Sequence, residues 1–106
     1  MGLNIYLKEK KKIVFETNIT HNLGRMAQAC GVYFACWRPE EINCKKAKHI
    51  ISLLQYGIKN LEDEKEYHEK FNPVNGWGSY CDFVLWLKEY LEACNKNKEA
   101  IIIVSR

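Results

Sequence analysis

Three short segments of this 106-residue chain gather residue types that can hold a ligand rather than merely join elements. The first, Asn18-Ile19-Thr20-His21-Asn22, stands where a β-prone run gives way to a helical one. A helix start carries unpaired N–H groups and partial positive charge, which suits an anion. Thr20 can cap such a helix while Asn18, His21 and Asn22 supply directional hydrogen bonds, and Arg25 follows one turn on. A plain capped helix with a solvated histidine uses the same residues, and the spacing leaves both readings open.

The second segment, Trp37-Arg38-Pro39-Glu40-Glu41, sets an indole beside a guanidinium, a pair able to stack a base and hold a phosphate. Core packing explains Trp37 equally well. The third, Asn75-Gly76-Trp77-Gly78-Ser79-Tyr80, places a tryptophan between two glycines ahead of a helical pattern. The glycines permit a sharp turn and a close approach, so Trp77 either lodges in the core or walls a ligand site.

Catalysis and metal chemistry have little to stand on. His21, His49 and His68 lack the i,i+4 spacing or the partner cysteines of a zinc site. No nucleophile elbow, phosphate-binding glycine loop or dinucleotide fingerprint is present. Cys30 with His21 can be drawn as nucleophile and base, but a cysteine on the apolar side of a helix is normally buried and inert. The residues imply no catalytic side chain, no metal and no cofactor; a small nucleotide hydrolase remains the enzymatic alternative.

Composition bounds what can position these residues. With 47% hydrophobic and 27% charged residues the chain reads as one globular domain over residues 1–106. A core of this size leaves a site at a surface groove, a loop cluster or a subunit interface. A net charge of +3 is too weak for the dense basic stripe of a nucleic-acid polymer binder. The run Lys8 to Lys12, broken by Glu9, reads as a solvated turn. Five cysteines, odd in number and without a CxxC pair, together with an N-terminus lacking a signal-peptide core, lead to an expectation of reduced thiols in a cytoplasm. No stretch is long and apolar enough to span a membrane.

Leu3, Ile5 and Leu7 alternate with polar positions, and Ile13 to Phe15 continue after the lysines, giving a hairpin over about residues 3 to 17. Ala100 to Val104 is a β-branched run of the kind paired on both sides or covered on both faces. Between them a short helix is expected over Thr20 to Cys30, ended by Gly31. A long one is expected from Pro39 to about Glu62, so that Glu40 and Glu41 fill its first turn and the lysines 45, 46 and 48 carry no ligand signal. A short helix in Asp63 to Lys70 ends at Asn72-Pro73, and the clearest starts near Ser79 and carries Tyr80, Phe83, Val84, Leu87, Tyr90, Leu91 and Cys94. The fold class is therefore α+β: a three-stranded antiparallel sheet, N-terminal hairpin plus C-terminal strand, packed with three to four helices.

The segments Asn18 to Gly24, Trp37 to Glu41, Asn72 to Gly78 and Val104-Ser105-Arg106, taken in this order, resemble a family of small tailed-bacteriophage proteins. The resemblance runs over nearly the whole chain and implies a genomic setting, the cytoplasm of an infected bacterium, rather than an activity. In that setting it implies a non-enzymatic protein that sequesters a small anionic nucleotide signal, such as a cyclic oligonucleotide or an ADP-ribose derivative, and so counters host defence. The residues for such a pocket are Trp37 or Trp77 to stack a base, Arg25 and Arg38 to pair phosphate, and Asn18, Thr20, His21, Asn22 and Asn75 to read hydroxyls and base edges. The alternative is a protein-binding inhibitor or adaptor. Pairing into a homo-oligomer suits either, since it deepens the pocket of a small domain.

Overall fold

The computed structural model describes residues 2–106. Strands β1 (Gly2–Glu9) and β2 (Lys12–Thr20) form the expected hairpin, turning at Lys10, whose φ of 58° is left-handed. The hairpin runs farther than the apolar alternation suggested, with Gly2 opposite Thr20. Strand β3 (Ile101–Ser105) pairs antiparallel with β1 on its other side, so the order is β2-β1-β3 and β1 is central. Leu3, Ile5 and Leu7 of that central strand are fully buried, as their period of two requires.

Among the described residues five α-helices form, joined by three short 3₁₀ turns: α1 (Gly24–Cys30), α2 (Tyr33–Trp37), α3 (Ile51–Asp63), α4 (Lys65–Glu69) and α5 (Tyr80–Lys96). Two of these are five residues long, which is why periodicity counted only three or four. Helix α1 ends at Gly31 with φ +92°, as expected, and α5 starts behind Ser79, whose Oγ accepts from the Asp82 N–H at 3.2 Å. Phe83, Leu87, Tyr90 and Cys94 of α5 are buried, and its Trp86 indole N–H donates to Thr17 Oγ1 of β2 at 2.8 Å. Helix α3 packs on α5, and its Leu54, Ile58 and Leu61 are buried.

Two expectations are overturned, for one shared reason. The stretch from Pro39 to Glu62 is not one helix: Pro39–Ile42 make a single 3₁₀ turn, and Asn43 at φ 58° ends it. The chain then runs along the edge of β3, where the Ile102 N–H donates to the Lys45 carbonyl and the Ala47 N–H to the Ala100 carbonyl, both at 2.9 Å. A continuous helix would have kept those backbone groups for itself, and the open sheet edge competes for them instead. The β-branched run of β3 is correspondingly an edge strand, not one paired on both sides. Only its beginning meets Lys45 and Lys46, and Ile101 and Ile103 remain 45% and 40% exposed on the uncovered face of the sheet.

Candidate functional site

The end of β2 and the loop before α5 meet at one corner of the molecule. Asn18 faces Asn4 across the hairpin and donates to its Oδ1 through Nδ2 at 2.7 Å, leaving the Asn18 side-chain oxygen as an acceptor. Thr20 Oγ1 accepts from the Asn22 N–H at 3.2 Å and caps the 3₁₀ turn His21–Leu23. Its hydroxyl hydrogen is thereby still available to donate. The helix that follows has seven residues, so the expected helix-end attraction for an anion is small and the side chains define this corner.

Two hydrogen bonds shape the loop from within and a third reaches that corner. Asn72 Oδ1 accepts from the Tyr80 N–H at 2.7 Å, and Asn75 Oδ1 accepts from the Trp77 N–H at 3.0 Å and, at a long 3.5 Å, from Asn22 Nδ2. Gly78, at φ +96°, lies so close that a Cβ there would stand 2.9 Å from Thr20 Cγ2 and 3.0 Å from Leu23 Cγ. Glycine is what lets the loop close. Trp77 consequently does not lodge in the core: it is 71% exposed and walls a groove of about 600 Å³ with Gly2, Asn18, Thr20, His21 and Asn22. A second groove, about 390 Å³, shares Asn22 and carries Arg25, Lys70 and Asn75.

The second segment lies behind the first groove rather than in it. Trp37 is buried, its ring parallel to that of Tyr33 at 5.5 Å, and its indole N–H donates to His21 Nδ1 at 3.0 Å. Arg106 Nη1 ties the end of the sheet to this unit through the Trp37 carbonyl and the Glu40 carboxylate, both at 2.8 Å. The Glu40 carboxyl is lowered by its own backbone N–H, with Arg106 adding to the effect. Arg38 is already paired, with Nε to the Tyr33 hydroxyl at 3.4 Å and Nη1 to Glu41 at 2.9 Å, and these partners raise its basicity. It lines neither groove.

Of the nine expected residues, Asn18, Thr20, His21, Asn22 and Trp77 thus share one groove and Arg25 and Asn75 the next, while Trp37 supports His21 and Arg38 stands apart. Gly2, Tyr33 and Lys70 are not among the expected residues, and Arg106 enters only as the end of a segment that carries the family resemblance. Gly2 was within reach of the hairpin register, which sets it opposite Thr20. Tyr33 and Arg106 support Trp37 from positions 4 and 69 residues away and leave no trace in spacing.

The other histidines and Cys30 lie outside these grooves, and the Nε2 of His68 is buried without a partner among the described residues. His49 Nδ1 accepts from the backbone N–H groups of Lys45 and Lys46 at 3.2 and 3.1 Å, and buried His68 lies 2.8 Å through Nδ1 from the Glu64 carbonyl. Buried Cys30 points its thiol at the Ala27 carbonyl and not at His21, and burial pushes that thiol up to about 11. No three metal-ligating side chains gather among the described residues. No protein-family model, curated protein or solved structure matches this chain.

Proposed function

We propose that this protein binds a small nucleotide-type ligand without turnover, in the paired grooves that meet at Asn22. The observation that carries this reading is the setting of Trp77: a largely exposed indole, held by the Asn75 turn, over Asn18, Thr20 and His21, with Arg25 and Lys70 in the adjoining groove. An exposed aromatic on a fixed loop can stack a base, neutral amides and hydroxyls can read its edge and its sugar, and neighbouring cations can pair phosphate. In an infected bacterium, the setting the family resemblance implies, such a protein would sequester a nucleotide signal of host defence.

A second reading, docking on a protein partner, is favoured by one observation: Val74, fully exposed, and Trp77 stand on the same loop. One experiment separates the two. The protein is melted in the presence of mononucleotides, cyclic di- and trinucleotides and ADP-ribose, and the ligand is recovered after denaturation and chromatographed. A raised melting temperature with intact ligand, lost in Trp77→Ala, is the expected result. Consumption of the ligand would replace binding with catalysis, and no shift with any nucleotide would leave the protein-docking reading.

A further inference from the structure

The Trp77 groove differs from its neighbour in that, among the described residues, it carries no charged side chain: its lining is Gly2, Asn18, Thr20, His21, Asn22 and Trp77. His21 is the one ring in that lining with two nitrogens to assign, and Trp37 decides which of them holds the proton. An indole N–H is a donor without acceptor capacity, so the ring nitrogen facing it must hold a lone pair. With Trp37 Nε1 at 3.0 Å from His21 Nδ1, the proton of the neutral imidazole is on Nε2. Protonating both nitrogens would set two donors against each other and strand the buried indole N–H. Trp37 is itself held in place, by the parallel Tyr33 ring and by Arg106 on its carbonyl.

We propose that Trp37 is a positioning residue that fixes His21 as an Nε2–H donor, making the Trp77 groove a nucleoside subsite and leaving phosphate to Arg25 and Lys70. The ligand half of this rests on the nucleotide-binding reading; the tautomer half does not. The open valences are complementary to a base and a ribose: acceptor oxygens on Asn18 and Asn22, donors on Thr20 and His21, and the face of Trp77. Because the two grooves join at Asn22, a ligand lying across both puts its neutral part on one and its charge on the other.

The test begins on the free protein, with histidine ¹⁵N labelling and long-range proton–nitrogen correlation at neutral pH. His21 is expected to show a protonated Nε2 and a bare Nδ1, and in Trp37→Phe, which keeps a ring against Tyr33, a mixture of both tautomers. A protonated Nδ1 in the wild type would overturn the role of Trp37 without any variant having to fold. Adenosine, adenosine monophosphate and inorganic pyrophosphate are then titrated. Adenosine is expected to shift the Trp77 indole and His21 signals, and the monophosphate to bind about tenfold tighter, the scale of one charge-assisted hydrogen bond. Arg25→Gln should remove that gain and leave adenosine unchanged. Pyrophosphate acting on His21 while adenosine is silent would overturn the neutral-groove assignment. Silence from all three would sink the nucleotide reading and its ligand half together, with the tautomer result still deciding the role of Trp37.

Discussion

Tyr80 and Tyr90 lie buried on the same helix, yet their hydroxyls meet opposite fates: that of Tyr80 donates to the Leu61 carbonyl at 2.7 Å, and that of Tyr90 has no partner among the described residues. A buried hydroxyl left unpaired costs desolvation with nothing in return, whereas a paired one contributes about 1 kcal/mol. Tyr90→Phe keeps the ring that stacks parallel to Phe15 at 6.2 Å and lies tilted by 45° to Trp86 at 5.6 Å. It is therefore expected to be neutral or to stabilise by up to about 1 kcal/mol, while Tyr80→Phe destabilises by about 1 kcal/mol. Chemical denaturation of the two variants checks the opposite signs.

The thiols divide by burial in the same way. Cys30, Cys36 and Cys94 are buried, and burial pushes Cys30 up to about 11, Cys94 to about 12 and Cys36 well above its ordinary range. Cys44 is partly exposed, its thiol raised by burial and turned toward the Ile42 and His49 carbonyls, and Cys81 is exposed. Since the thiolate is what alkylates, iodoacetamide at pH 8 should label Cys81 first and Cys44 more slowly, with all five reacting only in denaturant. Early labelling of Cys30 by mass spectrometry would mean that the packing between α1 and its neighbours opens readily.

Glu99 links the turn before α3 to the start of β3. Its carboxylate accepts from Lys46 and Lys48, both at 2.9 Å, and the hydrogen bond from Lys48, then that from Lys46, holds it down from the ordinary 4.5 to about 2. A carboxyl depressed in the folded state stabilises fully above its unfolded value and loses that contribution as pH falls through its folded one. The advantage of wild type over Glu99→Gln is thus expected to hold at neutral pH, shrink below about 4.5 and vanish near 2. All three side chains are substantially exposed, so the advantage is small and weakens in high salt. Denaturation midpoints of both proteins across that range read it directly.

What could be read in the chain and what could not follows from how local each signal was. The alternation of Leu3, Ile5 and Leu7, the Ser79 cap and Gly31 are decided within a few residues, and each stands where expected. The helix through Pro39 failed because its rival, the edge of β3, lies far along the chain: Lys45 and Ile102 meet only in the folded protein. Trp37 and Trp77 looked alike in sequence, each beside polar neighbours, and the fold gives them opposite places. Trp37 is drawn inside by Tyr33 and Arg106, while Trp77 is held outside by a glycine turn that was legible and by an Asn75 hydrogen bond and a Gly78–Thr20 approach that were not.

That Gly78–Thr20 contact gives the sharpest separation of folding from binding. An alanine at Gly78 meets both a left-handed backbone at φ +96° and a Cβ position 2.9 Å from Thr20, so the loop must move away from the end of β2. The strain is on the scale of 1–3 kcal/mol, about what such a conformation costs a residue with a side chain. Trp77→Ala removes a side chain that is 71% exposed and should change stability by less than about 0.5 kcal/mol. Both variants are expected to lose ligand affinity, Trp77→Ala by losing the stacking face and Gly78→Ala by carrying that face off the groove. Iodide quenching reports the difference, because Trp37 and Trp86 are buried and the quenchable emission belongs to Trp77. In the wild type a nucleotide should shield that emission; in Gly78→Ala it should remain quenchable at the same concentration. If Gly78→Ala lost stability yet bound and shielded as well as wild type, the position of the loop against the end of β2 would be irrelevant to binding.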